Sequence, residues 1–285
     1  MIVNELGEVG IDHHLLRQVD ERTVLLASGC VCCVLRGDLS DELRDLLDRR
    51  DAGEIPPFRR VVIETSGVAE PAPIVHTLLT DPLLPHHYEL ASVVATVDGM
   101  HGLPGTHGRE ALQQVAAADT LVVTKADVAD VVELAALESE LGRLNPAARV
   151  LRASFGEIDP DLLLARSDVD VRDLPVDGSG TGHRHEIEAI VLTLESSVDW
   201  TAFGIWLTML LHAHGSEVLR IKGLLDTGGD GPLLVDCVQH AVHPPLHLDS
   251  WPDEDRRSRL VVIGRGIERA ALERSLSAFD AVACS

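Results

Sequence analysis

Aromatic side chains are scarce in this sequence: four Phe, three Trp and one Tyr make up 3% of 285 residues. Its cores must therefore be aliphatic, and with 45% of residues apolar there is enough Leu, Val, Ala and Ile to fill them. Positive charge is also in deficit. There are 24 Lys and Arg against 46 Asp and Glu, a formal net charge of -22 with a pI near 4.9. That balance excludes a nucleic-acid groove, since phosphate-backbone affinity rests on cationic side chains; cations are attracted instead. No apolar run approaches the roughly 18 residues of a membrane span, and no secretory leader pattern is present. Of only five cysteines, Cys237 and Cys284 are isolated, which argues against a disulfide scaffold. The expectation is a cytoplasmic protein with neither a nucleic-acid nor a membrane partner.

The other three cysteines fall in one short stretch, Gly29-Cys30-Val31-Cys32-Cys33. The run before it, Glu21 to Ala27, alternates and ends apolar like a strand. The run after it, Arg36 to Arg50, carries Leu39, Leu43, Leu46 and Leu47 at helical spacing, with Asp38 read as its N-cap. The cysteines thus sit in a strand-to-helix junction. Thiolates this close together need a cation, and a soft divalent metal meets that need. Ligand softness excludes Ca²⁺ there and leaves Zn²⁺, Co²⁺ and Ni²⁺ open. The plainer alternative is buried thiols acting as small apolar residues. A redox pair is disfavoured because the spacing is C-x-C-C, not C-x-x-C.

Strands and helices alternate through the first half. Met1-Ile2-Val3 reads as the tail of a strand, either at a sheet edge or continuing something upstream, with Glu5 and Glu8 in the loop behind it. Val61 to Ile63 forms a strand that ends in Glu64-Thr65-Ser66-Gly67. An acid at a strand end can hold a metal-bound water, and a glycine lets its N–H approach a phosphate. Pro71 and Pro73 open the next helix. A third strand runs from Ser92 to Val97 and ends at Asp98, with His101 three residues on. A fourth, Thr120 to Val123, leads into Thr124-Lys125-Ala126-Asp127, and a helix from Asp130 to Leu144 follows. This alternation implies a largely parallel sheet with crossover helices.

Residues 167–185 turn to Asp, Gly, Ser and Thr and read as a linker that includes His183 and His185. The domains are expected at 1–166 and 186–285. The second opens with a strand, Glu188 to Leu194, and a helix from Asp199 to His212. Strands at Glu217–Leu225, Leu233–Cys237, Val242–Leu248 and Arg259–Ile263 precede a last helix from Glu268, an α+β layout with a mostly antiparallel sheet.

Taken in order, Asn4-Glu5-Leu6-Gly7-Glu8-Val9-Gly10-Ile11-Asp12, Gly29-Cys30-Val31-Cys32-Cys33, Glu64-Thr65-Ser66-Gly67 and Thr124-Lys125-Ala126-Asp127 resemble the CobW family of metallochaperone GTPases. The resemblance continues through Arg220-Ile221-Lys222-Gly223-Leu224-Leu225, Trp251 and Leu260-Val261-Val262-Ile263-Gly264. It implies a P-loop NTPase-like, mostly parallel α/β domain followed by a smaller CobW C-terminal α+β domain. It implies GTP and Mg²⁺ as ligands, Zn²⁺ (or Co²⁺ or Ni²⁺) as cargo and a client metalloenzyme as partner, leaving homo-oligomer formation open. By the same resemblance Cys30, Cys32, Cys33 and Glu8 belong to the metal site, with His101 as an additional ligand. Glu64 and Gly67 sense the γ-phosphate and Mg²⁺, while Lys125 and Asp127 read guanine, with Thr124 standing where the family has Asn. One motif of the family is missing: G-x-x-x-x-G-K-[ST] occurs nowhere. The first domain is accordingly expected to be N-terminally truncated, lacking its first strand, P-loop and first helix, with the coding sequence continuing upstream of Met1. If the truncation is instead real, the alternative is a non-hydrolysing zinc-binding or scaffold protein.

Overall fold

A computed structural model of the chain describes residues 2–3, 24–25, 35–103, 108–164 and 187–283. These fall into two compact units, Met1–Glu89 and Leu90–Ser285. In the first unit, β1 (Ile2–Val3) pairs in parallel with both β2 (Val24–Leu25) and β3 (Ile63–Glu64), giving the order β2-β1-β3. Of the two readings of Met1-Ile2-Val3, the edge strand is not the one seen: among the described strands β1 is the middle one of the three.

Helix α1 (Leu35–Asp51) begins three residues before Asp38, so this residue lies in the first turn and not at the cap. Leu39 and Leu43 pack with Leu84 of a 3-10 turn and with Ile63, Ile74, Leu78 and Tyr88. Helix α2 (Pro71–Thr80) starts on proline, whose missing N–H costs nothing at that position. Asp81, just past α2, accepts from Ser40 Oγ and from Arg44 Nη2 at 2.6 Å, and so ties α1 to that turn.

In the second unit, β4 (Val94–Asp98), β5 (Thr120–Thr124) and β6 (Arg149–Arg152) form a parallel sheet in sequential order. Helices α3 (Arg109–Ala117) and α4 (Val131–Leu144) accompany them. Asp130 caps α4 by accepting from Val132 N and Glu133 N, and Leu134, Leu137, Leu141 and Leu144 bury one face against Val97, Leu121 and Val123. Asn145 is buried and donates to Val115 O and Ala118 O, satisfying carbonyls at the end of α3. A short helix, α5 (Pro160–Leu163), follows.

The C-terminal part is an antiparallel sheet in the order β10-β9-β8-β12-β7, with β11 also paired to β9. Its strands are β7 (Ile187–Leu194), β8 (Val218–Leu225), β9 (Leu233–Val238), β10 (Ala241–Val242), β11 (Leu246–His247) and β12 (Ser258–Arg265). The stretch expected as one strand from Val242 to Leu248 is two short ones. Pro244 and Pro245 interrupt it, since proline has no N–H to offer a ladder. Along β12, Leu260 and Val262 face helices α6 (Trp200–His214) and α7 (Arg269–Ala283), whereas Val261 and Ile263 face Leu112, Ala116 and Ala147. Both faces of this sheet are therefore buried.

Candidate functional site

The C-terminal ends of parallel strands are where α/β sheets place ligands. At that end of the second unit, Asp98 finishes β4 and Thr124 finishes β5, in register with each other. Gly99 N donates to Thr124 O at 2.9 Å, and a Cβ on Gly99 would lie 2.6 Å from that oxygen, so only glycine permits the approach. Thr124 Oγ1 donates to Val97 O at 3.2 Å. The chain then turns through Lys125, whose φ of 56° is left-handed.

Asp98 organises this end of the sheet. Its Oδ2 accepts from Lys125 Nζ at 2.6 Å and contacts His101 Nδ1 at 2.9 Å, while Oδ1 accepts from Met100 N at 2.9 Å. The Lys125 ammonium, then His101, hold the Asp98 carboxyl well below the usual carboxylate range. Asp127 is exposed and has no hydrogen-bond partner among the described residues, leaving its carboxylate open to an external donor. Val128 N and Ala129 N both donate to Lys125 O, at 3.2 Å each, which fixes the turn carrying Asp127.

In the first unit, Glu64 ends β3 opposite Val3 and is exposed. Ser66 Oγ is enclosed and has no partner among the described residues, while Ser66 O accepts from Ala69 N at 3.0 Å. Among the described residues, a Cβ on Gly67 would meet nothing within 4 Å. An unpartnered hydroxyl beside an exposed acid and a glycine fit a phosphate and its Mg²⁺.

Thr124, Lys125 and His101 are brought together around Asp98, a residue that the sequence reading had treated only as the end of a strand. The signal for it was the pairing of two strand ends, each followed by a turn. Cys30, Cys32, Cys33 and Glu8 lie outside the described residues, as do His183, His185 and the linker 167–185. Among the described residues there is no group of three or more His, Cys, Asp or Glu side chains able to hold a metal ion.

Parallel strands whose ends carry the Asp98–Lys125 turn, followed by an antiparallel α+β domain, define a two-part α/β protein with a ligand-type strand-end loop. The description "CobW/HypB/UreG, nucleotide-binding domain" matches residues 1–152, and "Cobalamin synthesis protein cobW C-terminal domain" matches residues 187–280. The chain is 34% identical over 271 residues to the zinc chaperone YjiA of Escherichia coli (strain K12), covering 93% of this chain and 84% of that protein. It is 30% identical over 318 residues to the zinc chaperone CobW of Pseudomonas aeruginosa, covering 97% and 82%. The crystal structure of Zn(II)-bound YjiA GTPase from E. coli superposes with a TM-score of 0.75 at 26% identity, covering 98% of this chain and 97% of that one. A Zn(II)-bound YjiA triple mutant, with one glutamate and two consecutive cysteines replaced by alanine, superposes with a TM-score of 0.73 at 28% identity, covering 90% and 79%.

The chain belongs to the CobW family. This corrects the expectation of a truncated first domain: the nucleotide-binding domain is matched from residue 1 to residue 152, so both domains of the family are present. The error came from equating the domain with a single motif. The order of strands, strand-end loops and helices over the remaining residues suffices to define it. Among the described residues, no helix is long and apolar enough to cross a membrane.

Proposed function

We propose that the protein is a cytoplasmic GTP-dependent metal chaperone that delivers a transition metal, zinc before cobalt or nickel, to a client metalloenzyme. The observation that carries this reading is the Asp98-anchored turn, in which Lys125 is held and Asp127 left open. Support comes from relatives named as zinc chaperones and from a Zn(II)-bound solved relative named as a GTPase.

In this reading Asp127 accepts from the N1–H and N2 amine of guanine, and Lys125 lies against the base. Gly67 offers its N–H to the γ-phosphate, and Glu64 orients water at the phosphate end. Mg²⁺, when bound, offsets phosphate charge during transfer of the γ-phosphoryl group to water. The cargo metal sits on Cys30, Cys32 and Cys33, with Glu8 between it and the nucleotide and His101 as a further ligand. The thiolates suit a soft cation and release protons on binding it.

The test is zinc uptake by the reduced protein, read by chelator competition, together with GTP turnover. Wild type is expected to take up about one tight zinc equivalent and to release phosphate from GTP, and Cys32→Ala/Cys33→Ala to lose the tight zinc. Retained tight zinc in the double variant removes the cysteine turn from the site; absence of turnover removes the GTPase.

A further inference from the structure

The neighbouring ends of β5 and β6 share an unusual backbone feature. Among the described residues, three that are not glycine have a left-handed φ, and two of them follow these strands: Lys125 at 56° and Phe155 at 55°. The strands are parallel neighbours with Val123 opposite Arg152, and Ala126 N donates to Ala153 O at 3.3 Å. The loop carrying Phe155 therefore runs beside the loop carrying Lys125 and Asp127.

A bulky side chain in this backbone region is a genuine outlier, and such strain gathers at functional sites. Glu157 N donates to Ser154 O at 2.9 Å, and the pair closes a tight bridge, so Phe155 sits at the tip of a fixed turn next to Gly156. Gly, Asn or Asp would adopt that conformation at less cost. Yet the position holds one of only four phenylalanines in the chain, and it is 89% exposed, whereas Phe203 and Trp206 are buried. On the adjacent loop, the bond to Asp98 fixes the Lys125 ammonium and leaves a half-exposed methylene stem. An exposed aromatic ring, an anchored aliphatic stem and an open carboxylate thus lie on two adjacent loops, and these are the kinds of group that hold a flat heterocycle.

We propose that Phe155 is a further binding contact of the nucleotide site, one that sets affinity, its ring stacking on one face of the purine while the Lys125 stem covers the other and Asp127 reads the edge. This rests on the guanine-nucleotide reading above and adds a division of labour to it. Stacking is indifferent to the substituents on the ring, so Phe155 supplies affinity for any purine base. The Asp127 carboxylate, by accepting from the N2 amine, supplies the preference for guanine over hypoxanthine.

The test uses the full chain with Mg²⁺, titrated with GDP and with inosine diphosphate. Phe155→Asn keeps a residue that tolerates the left-handed backbone but removes the ring. Its unfolding midpoint is expected to be unchanged or raised, while affinity for both nucleotides falls together by about tenfold or more. Phe155→Trp is expected to retain affinity and to show its added indole emission quenched on nucleotide binding. Wild-type affinity in Phe155→Asn, or tryptophan emission indifferent to saturating GDP, overturns the proposal while leaving the guanine reading intact. Loss of self-association in sedimentation with unchanged GDP affinity also overturns it, and assigns the ring to a protein interface. Failure of wild type itself to bind GDP overturns the guanine reading and the stacking contact with it.

Discussion

Gly99 sets how closely the ends of β4 and β5 approach, and it does so through a missing methyl group. A Cβ there meets Thr124 O at 2.6 Å and Val123 Cγ1 at 3.2 Å, and the first of these is backbone that cannot step aside. Gly99→Ala is therefore expected to cost about 1–3 kcal/mol in urea unfolding and to weaken guanine-nucleotide binding by roughly tenfold. Unaltered values for both would mean that the turn is not held as described. Asp98 behaves differently. Its partners Lys125 and His101 are largely exposed, and exposed ion pairs contribute little to stability. Asp98→Asn should leave the thermal midpoint close to wild type while freeing the Lys125 side chain, so its effect appears in GDP affinity and not in melting. A large drop in midpoint with normal GDP affinity would reverse that assignment.

At the scale of elements, the parallel sheet and the antiparallel sheet of the second unit are joined by four buried charges. Arg220 and Lys222 extend from β8, Asp236 from β9, and Asp119 stands just before β5. Arg220 donates to Ala117 O, to Asp119 and, at 2.8 Å, to Asp236, and Lys222 reaches Asp119 at 2.9 Å. Burial acts to raise the Asp119 carboxyl, but Arg220 and Lys222 override it and hold it well below the usual range. Two cations against two anions balance, so removing one member strands a buried charge. Asp119→Ala is expected to cost about 3–5 kcal/mol, and Asp119→Ala with Arg220→Met less than the sum of the two single changes. Additive losses would show that the charges do not act as a group. His243 faces the same charges, Asp236, Arg220, Asp119 and Lys222, and burial pushes its pKa down. Because the folded value lies below the ordinary value of about 6.5, the unfolded chain takes up the proton first as the solution is acidified. The His243 contribution is complete above that pH and is lost as pH falls through the folded value. His243→Leu should flatten the stability slope between pH 7 and 5; a slope identical to wild type would place its origin elsewhere. These elements also mark what the sequence could disclose. The Asp130 cap and the stripe Leu134, Leu137, Leu141 and Leu144 were legible because their signals are local. Arg220 and Lys222 were not, since all eight residues of β8 are buried and the carboxylate that contacts both, Asp119, lies about a hundred positions away. Asp98 escaped notice for the same reason: it acquires its role from Lys125, 27 positions on.

At the scale of the whole molecule, a net charge of -22 draws divalent cations toward the surface but does not choose among them. In the function proposed above, choice rests with the thiolates, and delivery needs their affinity to depend on the nucleotide. If the two sites are linked, the linkage is symmetric: the factor by which GTP in place of GDP changes zinc affinity must equal the factor by which zinc changes the GTP-to-GDP affinity ratio. Coupling of the usual size is about 5–150-fold. Zinc affinity should therefore be measured by chelator competition in GDP and in a non-hydrolysable GTP analogue, and nucleotide affinity with and without zinc, on the same preparation. Equal, non-unit factors from the two directions are expected. Asp127→Ala should weaken nucleotide binding yet leave the zinc affinity of the nucleotide-free protein as in wild type, because in the proposed function that carboxylate serves only the base. Zinc affinity indifferent to the nucleotide would leave a protein that binds two ligands independently, with no means of timing the release of one by hydrolysis of the other.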